Sequence, residues 1–416
     1  MKYLFVIIFL FEFIFSQKIL IPMDQVQKDH LKAYGTTFWV LGEKIKVEWL
    51  LNYRGGSFLM DSYPKIEQEC RLRGVSFEII NVDQNLAIYN EIEINNMDIV
   101  LLEKPPKIAI YTPPNKQPWD DAVTLALTYA EVPYKTLWDE EVFNGSLSQY
   151  DWLHLHHEDF TGQYGKFYRN YHTASWYIDQ QNQFEQMAKK LGFDSVHTQK
   201  KMLAQMIKNY VTNGGFLFAM CSATDSFDIA LATQNIDVAH SVFDGTPIQK
   251  DLIDKLKYNE TLAFKDFKII SDPMVYEYSD IDYPPSNNPI VRGAEADYFT
   301  LFSFSAKYDP APTMLTQNHV SNIKGFMGQT TGYNRKKIKK HITILGEDQT
   351  NPQVKYIHGN YGKGTFTFLG GHDPEDYQHF VGDPQTELSL HRNSPGYRLI
   401  LNNILFPAAR KKERKT

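Results

Sequence analysis

Cysteine is scarce in this sequence, which has only Cys70 and Cys221 among its 416 residues. Two thiols exclude a disulfide-dense scaffold, and they also exclude a structural zinc site built on three or four thiolates. Basic residues are not in excess either, because the formal net charge is -6. Proteins that bind nucleic acid favour a strong basic field, so we expect no nucleic-acid partner.

Long apolar runs are missing after the first sixteen residues. Within those residues, Lys2 supplies a positive charge, residues 3–15 are almost wholly apolar, and Ser16 offers a small side chain at a cleavage point. This layout predicts a secretory signal peptide over residues 1–16 and export to the periplasm or the cell exterior. No later stretch approaches the roughly 18 apolar residues of a membrane-spanning helix. We therefore expect no membrane span in the mature chain.

The overall composition is that of a globular protein, with 43% apolar and 22% charged residues. Predicted strands and helices alternate along the chain, which favours a parallel sheet with helical crossovers. Two prolines within residues 104–107 mark a domain boundary. We predict a small α/β unit over residues 17–104 and a second α/β domain over residues 105–416, with an irregular insertion at about residues 240–340.

Cys221 follows an apolar predicted strand, residues 216–220, and precedes a predicted helix. Ala219 and Ala223 flank it, and a sharp turn from strand to helix needs such small neighbours. The dipole of a helix favours the thiolate form of a cysteine at its N-terminus. The segment therefore has the pattern of an activated nucleophile. The alternative is an ordinary core cysteine at the end of a strand.

His372 comes just after another predicted strand, residues 365–369, and the carboxylates of Asp373 and Glu375 follow it closely. A histidine in this position can act as a general base that a carboxylate orients. The alternative is a loop histidine that caps a turn or makes a structural hydrogen bond.

Polar side chains cluster where the strand predicted over residues 150–156 ends. Period-two alternation places His154 and His156 on one face of that strand and His157 on the other. With Glu158 and Asp159 they lie at a carboxyl strand end, where open α/β sheets bind ligands. Histidines and carboxylates can hold a divalent metal, although this spacing matches no zinc signature. We assign no cofactor and no metal ligand, and we keep a metal site as the alternative to a polar pocket wall.

Several of these segments resemble known families. The nucleophile turn of the class I glutamine amidotransferase-like superfamily is small-x-Cys-x-small, which Ala219-Met-Cys-Ser-Ala223 matches. The segment over residues 361–375 is similar to the ThuA-like branch of that superfamily. The whole mature chain resembles secreted bacterial proteins labelled asparagine synthetase B, through residues 18–23, 49–57, 156–162 and 220–228. The resemblance implies a flavodoxin-like parallel-sheet sandwich.

Asparagine synthesis itself does not fit the residues. A glutamine-dependent asparagine synthetase uses a cysteine at its mature N-terminus and a Ser-Gly-Gly-x-Asp-Ser loop for ATP, and this sequence has neither. We therefore expect no ATP-dependent asparagine synthesis.

The residues and the resemblance together lead us to expect an exported Cys–His hydrolase of an amide or related acyl compound. Cys221 would be the nucleophile and His372 the base, with Asp373 or Glu375 orienting the imidazole. Backbone N–H groups near Ser222 and residues 161–162 would form an oxyanion hole. The predicted substrate-binding residues are His156, His157, Glu158, Asp159, Gly162, Ser222 and Asp225.

Two other functions stay open. One is a non-catalytic protein that binds a sugar or a peptide in the same crevice, with Cys221 as an ordinary buried residue. The other is a metal-dependent hydrolase, whose ligands would come from His156, His157, Glu158 and Asp159.

Overall fold

The computed structural model of the chain describes residues 17–114, 121–249, 253–283, 298–326, 328–350, 352–376, 381–382 and 384–410. The predicted signal peptide, residues 1–16, lies outside these residues, as do residues 284–297 of the predicted insertion. Among the described residues, no helix has the length and the apolarity to cross a membrane.

A first sheet forms from the N-terminal part of the chain. Its five strands are β1 (Lys18–Ile21), β2 (Val47–Leu51), β3 (Ser57–Asp61), β4 (Glu78–Ile80) and β5 (Asp98–Leu102). Three helices accompany them: α1 (His30–Gly42), α2 (Pro64–Arg73) and α3 (Val82–Ile94). The strand order is β4-β1-β3-β2-β5, and every pairing in it is antiparallel.

The expectation of a parallel sheet is therefore wrong for this unit. The reason is β3, which the sequence patterns did not reveal. A tight turn over residues 52–56 joins β2 to β3, and Asn52, Gly55 and Gly56 have positive φ in it. A connection this short can only make a hairpin, because parallel neighbours need a crossover of a dozen or more residues.

The second sheet contains the remaining strands. They are β6 (Ile108–Tyr111), β7 (Lys135–Leu137), β8 (Trp152–Leu155), β9 (Phe216–Met220), β10 (Tyr298–Leu301), β11 (Asn322–Lys324), β12 (Tyr333–Asn334), β13 (Thr343–Glu347), β14 (Gln353–Tyr361) and β15 (Gly364–Leu369). Their order is β11-β10-β13-β14-β15-β9-β8-β6-β7, and β12 pairs with β14. Strands β10 and β11, from the predicted insertion, thus extend the edge of this sheet.

Helices accompany the strands of the second sheet. They are α4 (Ala122–Ala130), α5 (Asp139–Phe143), α6 (Tyr168–Tyr171), α7 (Ser175–Lys190), α8 (Val196–Thr212), α9 (Ala223–Ala232), α10 (Ser241–Asp244), α11 (Pro310–Leu315) and α12 (Pro395–Leu405). Alternate strand residues enter two hydrophobic cores. Trp152 and Phe218 belong to the core that includes α1, α4 and α12, whereas Leu153 and Leu217 belong to the core that includes α8 and α9.

The predicted α/β class is confirmed, and five neighbouring strands of the second sheet are parallel. Their order, β7-β6-β8-β9-β15, is 2-1-3-4-5 in chain order, which is the flavodoxin-like arrangement. The order reverses between β6 and β8. Ligands of open α/β sheets bind at the carboxyl ends of the strands beside such a reversal, and this points to the end of β8.

The two sheets share one core. Helix α1 approaches α4 so closely that a Cβ on Gly35 would lie 1.8 Å from the carbonyl oxygen of Ala130, so glycine alone fits there. The buried guanidinium of Arg398 in α12 donates to the carbonyls of Met23 at 2.9 Å and Gly55 at 2.7 Å. These contacts hold the N-terminal sheet against the helices that support the parallel strands.

Candidate active site at the carboxyl ends of the parallel strands

Three of the predicted site segments meet at one edge of the second sheet. Strand β9 pairs in parallel with β8 and with β15, and Met220 stands opposite Leu369. The chain therefore leaves all three strands on the same side. His156, Cys221 and His372 lie directly beyond or within three residues of these strand ends.

Cys221 occupies the sharp turn between β9 and α9 that the sequence predicts. Its φ of 53° is in the left-handed region, which is strained for a residue other than glycine. The side chain is fully buried, and its sulfur accepts a hydrogen bond from the N–H of Gln329 at 3.4 Å. Burial raises the pKa of the Cys221 thiol to about 11, although backbone N–H groups of Gln329, Ser222 and Thr330 oppose the rise. Burial thus opposes the thiolate that the sequence predicts, whose formation stays a prediction.

Three histidines come together beside this turn. One ring nitrogen from each of His156, His157 and His372 lies within 4.8 Å of the other two. The ring centroids of His156 and His372 are 4.1 Å apart, and those of His156 and His157 are 5.2 Å apart. The expectation that His157 faces away from His156 is wrong. Strand β8 ends at Leu155, so the period-two alternation stops before these two residues.

Asp121 supports the cluster from the other side of the strand reversal. It precedes α4, where its carboxylate accepts the N–H of Val123 at 2.7 Å. The same carboxylate lies 3.0 Å from Nδ1 of His156 and 3.4 Å from Nε2 of His154. Burial by itself would raise the pKa of Asp121, but the two histidines hold it well below its usual value.

His154 is anchored in the sheet. Its Nδ1 lies 3.0 Å from the carbonyl oxygen of Phe218 on β9, so that nitrogen carries the proton and donates. Its Nε2 is 3.3 Å from Nδ1 of His156. The chain Phe218, His154, Asp121 and His156 therefore runs from the sheet to the three-histidine cluster and fixes the orientation of the His156 ring.

The carboxylates of Glu158 and Asp159 accept hydrogen bonds from backbone N–H groups of their own loop. Oε2 of Glu158 accepts the N–H of His156 at 2.8 Å. Burial, with a smaller contribution from Asp121, raises the pKa of Glu158 to about 8. Asp159 accepts the N–H groups of Thr161 and Gln163, both at 2.6 Å. Glu158 therefore fixes the backbone of His156, and Asp159 shapes the loop that follows.

The predicted oxyanion donors are only partly in place. The N–H of Thr161 is bonded to Asp159 and is not free for a substrate oxygen. Gly162 has a φ of 79°, and a Cβ there would lie 2.7 Å from Cα of His197. Close packing thus explains this glycine. The N–H of Ser222 remains directed toward the Cys221 sulfur.

The carboxylates that follow His372 have other recorded partners. Oδ2 of Asp373 accepts the hydroxyl of Tyr397 at 2.8 Å, and its Oδ1 accepts the N–H of Glu375 at 2.8 Å. Glu375 lies 3.1 Å from Nδ1 of His391. Orientation of His372 by either carboxylate stays a prediction, as does its role as the base for Cys221.

Two members of the site escaped the sequence patterns. Asp121 gives a signal only as a helix-capping residue after a strand, and Gln329 lies in an irregular stretch far along the chain. Each reaches the site through the tertiary fold. Of the predicted residues, the structure brings His156, His157 and His372 together, and it places Cys221, Ser222 and Asp225 at the adjoining turn.

The chain matches no protein-family model and no curated protein. Several solved structures are similar to parts of it. The cytoplasmic protein STM3548 of Salmonella typhimurium shares 12% identity over 73% of this chain and 100% of its own, with a TM-score of 0.35. The cytoplasmic protein STM1381 of the same organism shares 13% identity over 71% of this chain and 99% of its own, with a TM-score of 0.33. The GH42 β-galactosidase Gan42B shares 13% identity over 70% of this chain and 29% of its own, with a TM-score of 0.28. These similarities are too slight to support an argument about function.

Proposed function

We propose that this chain is a metal-dependent hydrolase of an amide or related acyl compound. The observation that carries the proposal is the convergence of His156, His157 and His372, whose ring nitrogens lie within 4.8 Å of one another. Nitrogens bound to one tetrahedral zinc ion lie about 3.3 Å apart, given Zn–N distances of about 2.0–2.1 Å. Small side-chain rotations would bring the three nitrogens onto a single ion.

The carboxylate beside His156 also fits a role for this histidine as a metal ligand. Asp121 binds Nδ1 of His156 at 3.0 Å, which leaves Nε2 as the ligand nitrogen. A carboxylate behind a histidine is the usual outer partner of a metal ligand, where it fixes the ring orientation and increases the ligand's basicity. His157 and His372 complete a set in which every protein ligand is a nitrogen donor.

Three protein ligands are typical of a catalytic zinc site, because the fourth position stays open to water or substrate. A cation there would polarise an acyl carbonyl and acidify its water. The site lies beside the reversal in strand order, where a flavodoxin-like sheet binds its ligands. The sequence also offers Glu158 as a metal ligand. Its carboxylate instead accepts the N–H of His156, so Glu158 is not part of the proposed ligand set.

Metal analysis of purified protein tests the proposal. We expect about one equivalent of zinc or a similar divalent ion per chain, and Asp121→Asn should weaken its affinity by about 10–100-fold. The matched control is Asp29→Asn, since Asp29 likewise caps a helix and accepts the N–H of Lys32 at 2.8 Å. Protein that neither retains nor binds a divalent ion would contradict the proposal, as would equal affinities in the two variants.

A second candidate function uses Cys221 as a nucleophile. Its strained φ of 53° favours this candidate, since a strained turn from strand to helix is a feature of nucleophile turns. The N–H of Gln329 at the sulfur would stabilise a thiolate. Burial and the raised pKa of the thiol argue against it.

Amide and ester hydrolysis by Cys221→Ala separates the two candidates. We expect this variant to retain its cation and most of its activity, and we expect the wild-type thiol to react slowly with iodoacetamide at neutral pH, because little thiolate is present. Loss of activity with the cation still bound would establish the thiol as the nucleophile and refute metal-based hydrolysis as the sole mechanism.

A further inference from the structure

Four side chains around the Cys221 turn each bury an oxygen atom that has no hydrogen-bond partner among the described residues. The atoms are Oγ of Ser222, Oδ2 of Asp225, the hydroxyl of Tyr278 and Oδ1 of Asp282. Their residues are between 0% and 4% exposed. Native proteins leave few buried polar atoms unsatisfied, so a bound polar group or ordered water must satisfy these four.

The fold brings these residues into one cluster. Ser222 and Asp225 begin α9, and Oδ1 of Asp225 accepts the hydroxyl of Thr330 at 2.9 Å. The segment that contains Thr330 continues to Tyr333, which pairs with Asp282 in an antiparallel bridge. This bridge places Asp282 next to the segment over residues 329–333, in which the N–H of Gln329 donates to the Cys221 sulfur.

Tyr278 precedes this bridge by a few residues in the same stretch. Burial raises the pKa of its phenol well above the usual value, and the nearby charges of Asp159 and Asp225 raise it further. The phenol oxygen of Tyr278 therefore lies within electrostatic range of the carboxylate of Asp225. The hydroxyl can accept a hydrogen bond as well as donate one.

The cluster has two carboxylates and no bonded cation among the described residues. Lys166 is within electrostatic range of Asp225, but its ammonium group donates elsewhere. It binds the carbonyls of Ile270 at 2.8 Å and Asp272 at 2.9 Å. Acceptor oxygens thus predominate around the turn. Burial raises the pKa of Asp225 to about 7, and burial together with the nearby Asp225 raises the pKa of Asp282 well above its usual value. A cation bound between the two carboxyl groups would favour their ionised forms.

We propose that Ser222, Asp225, Tyr278 and Asp282 form a binding site for a protonated primary amine. An ammonium group carries three N–H donors and one positive charge, which matches two carboxylates and two hydroxyls. The N–H of Ala223, in the same turn, donates to the carbonyl of His156 at 3.1 Å. A bound amine would therefore lie beside the three-histidine cluster. This inference goes beyond the proposed hydrolysis, because amine binding needs no metal ion.

Titration of the full chain with methylammonium chloride tests the site. We expect saturable binding by calorimetry and a rise in the thermal unfolding midpoint. Tetramethylammonium chloride and potassium chloride at equal ionic strength should give neither, because their cations have no N–H donors. Asp282→Asn should raise the Kd for methylammonium by about tenfold or more, as expected for a charge-assisted hydrogen bond.

Asp266→Asn is the matched control, since Asp266 is an aspartate in the same stretch whose side chain is 66% exposed. Its Kd should equal that of the wild type. If Asp282→Asn does not fold, Tyr278→Phe removes only a hydroxyl and should also weaken binding.

Absence of saturable methylammonium binding to folded wild-type protein would overturn the proposal, as would equal binding of potassium or tetramethylammonium. An unchanged Kd in Tyr278→Phe together with an unchanged Kd in folded Asp282→Asn would do the same. Metal content is measured separately, so failure of this site is distinguishable from failure of the proposed hydrolase function.

Discussion

Substitution of His372 by alanine is expected to lower the affinity for a divalent cation by more than about 100-fold. Loss of an outer partner of a metal ligand already costs about 10–100-fold, and His372 would supply one of only three ligand nitrogens. Hydrolysis that depends on the cation should fall to background. Titration of metal-free protein with zinc against a chelator gives the affinity, and turnover of an amide and an ester panel gives the activity.

His358→Ala is the control for this variant. His358 is a buried imidazole on β14, 4% exposed, and its Nδ1 lies 3.4 Å from the hydroxyl of Thr367. Its removal leaves a cavity of the same size without touching the histidine cluster. We expect His358→Ala to keep its cation. If His372→Ala and His358→Ala bind zinc equally well, His372 is not a ligand and the proposed site is wrong.

Lys200→Met is expected to destabilise the fold by about 3–5 kcal/mol, because it leaves a carboxylate buried without its cation. Nζ of Lys200 on α8 lies 2.9 Å from Oδ1 of Asp139, and the two side chains are 3% and 1% exposed. The hydroxyl of Tyr111, at the end of β6, also donates to Asp139. The pair therefore ties α8 and α5 to the parallel strands. Urea unfolding followed by tryptophan fluorescence measures the decrease in the free energy of unfolding.

Lys190→Met is the matched control, because Lys190 pairs at 2.6 Å with Glu140, the residue after Asp139, and both side chains are largely exposed. Such a pair contributes about 0–1 kcal/mol. Lys200→Met combined with Asp139→Asn should recover much of the loss, since no charge then stays buried. A loss in Lys200→Met no larger than in Lys190→Met would show that the buried pair is not important for stability.

The sequence predicts several elements of the parallel part with little error. The sequence predicts β9 over residues 216–220, and the strand is Phe216–Met220. The prediction is accurate because this apolar run is bounded by glycines and by the start of a helix. The apolar spacing of Leu31, Tyr34, Phe38 and Leu41 predicts a helix over residues 29–43. Helix α1 is His30–Gly42, capped by Asp29. By contrast, β3 was missed, since the two glycines before it suggested only the end of β2.

The sequence identifies individual residues of the candidate site, although not which of them lie together. Each of His156, Cys221 and His372 stands near the end of a predicted strand, and each was singled out for that reason. Their partners were not predictable. The sequence pairs His372 with Cys221, which stays a prediction, and it gives no sign that the His372 ring lies 4.1 Å, between centroids, from the ring of His156.

Asp121 shows why the partners were hidden. It reaches His156 only because the strand order reverses between β6 and β8, so that the helix after β6 begins beside the end of β8. Local patterns carry no information on strand order, since any order would bury the same apolar faces. Asp282 is a second case, because its bridge to Tyr333 joins two irregular segments.

The sequence by itself determined the α/β class, most of the strands and helices of the second sheet, and the polar residues at the strand ends, because apolar periodicity and turn residues act over a few positions. The tertiary structure alone decided the antiparallel form of the first sheet, the burial of the Cys221 thiol and the meeting of His156 and His157, after β8, with His372, after β15. Those features depend on which strands become neighbours, and that choice is made by packing between segments far apart in the chain.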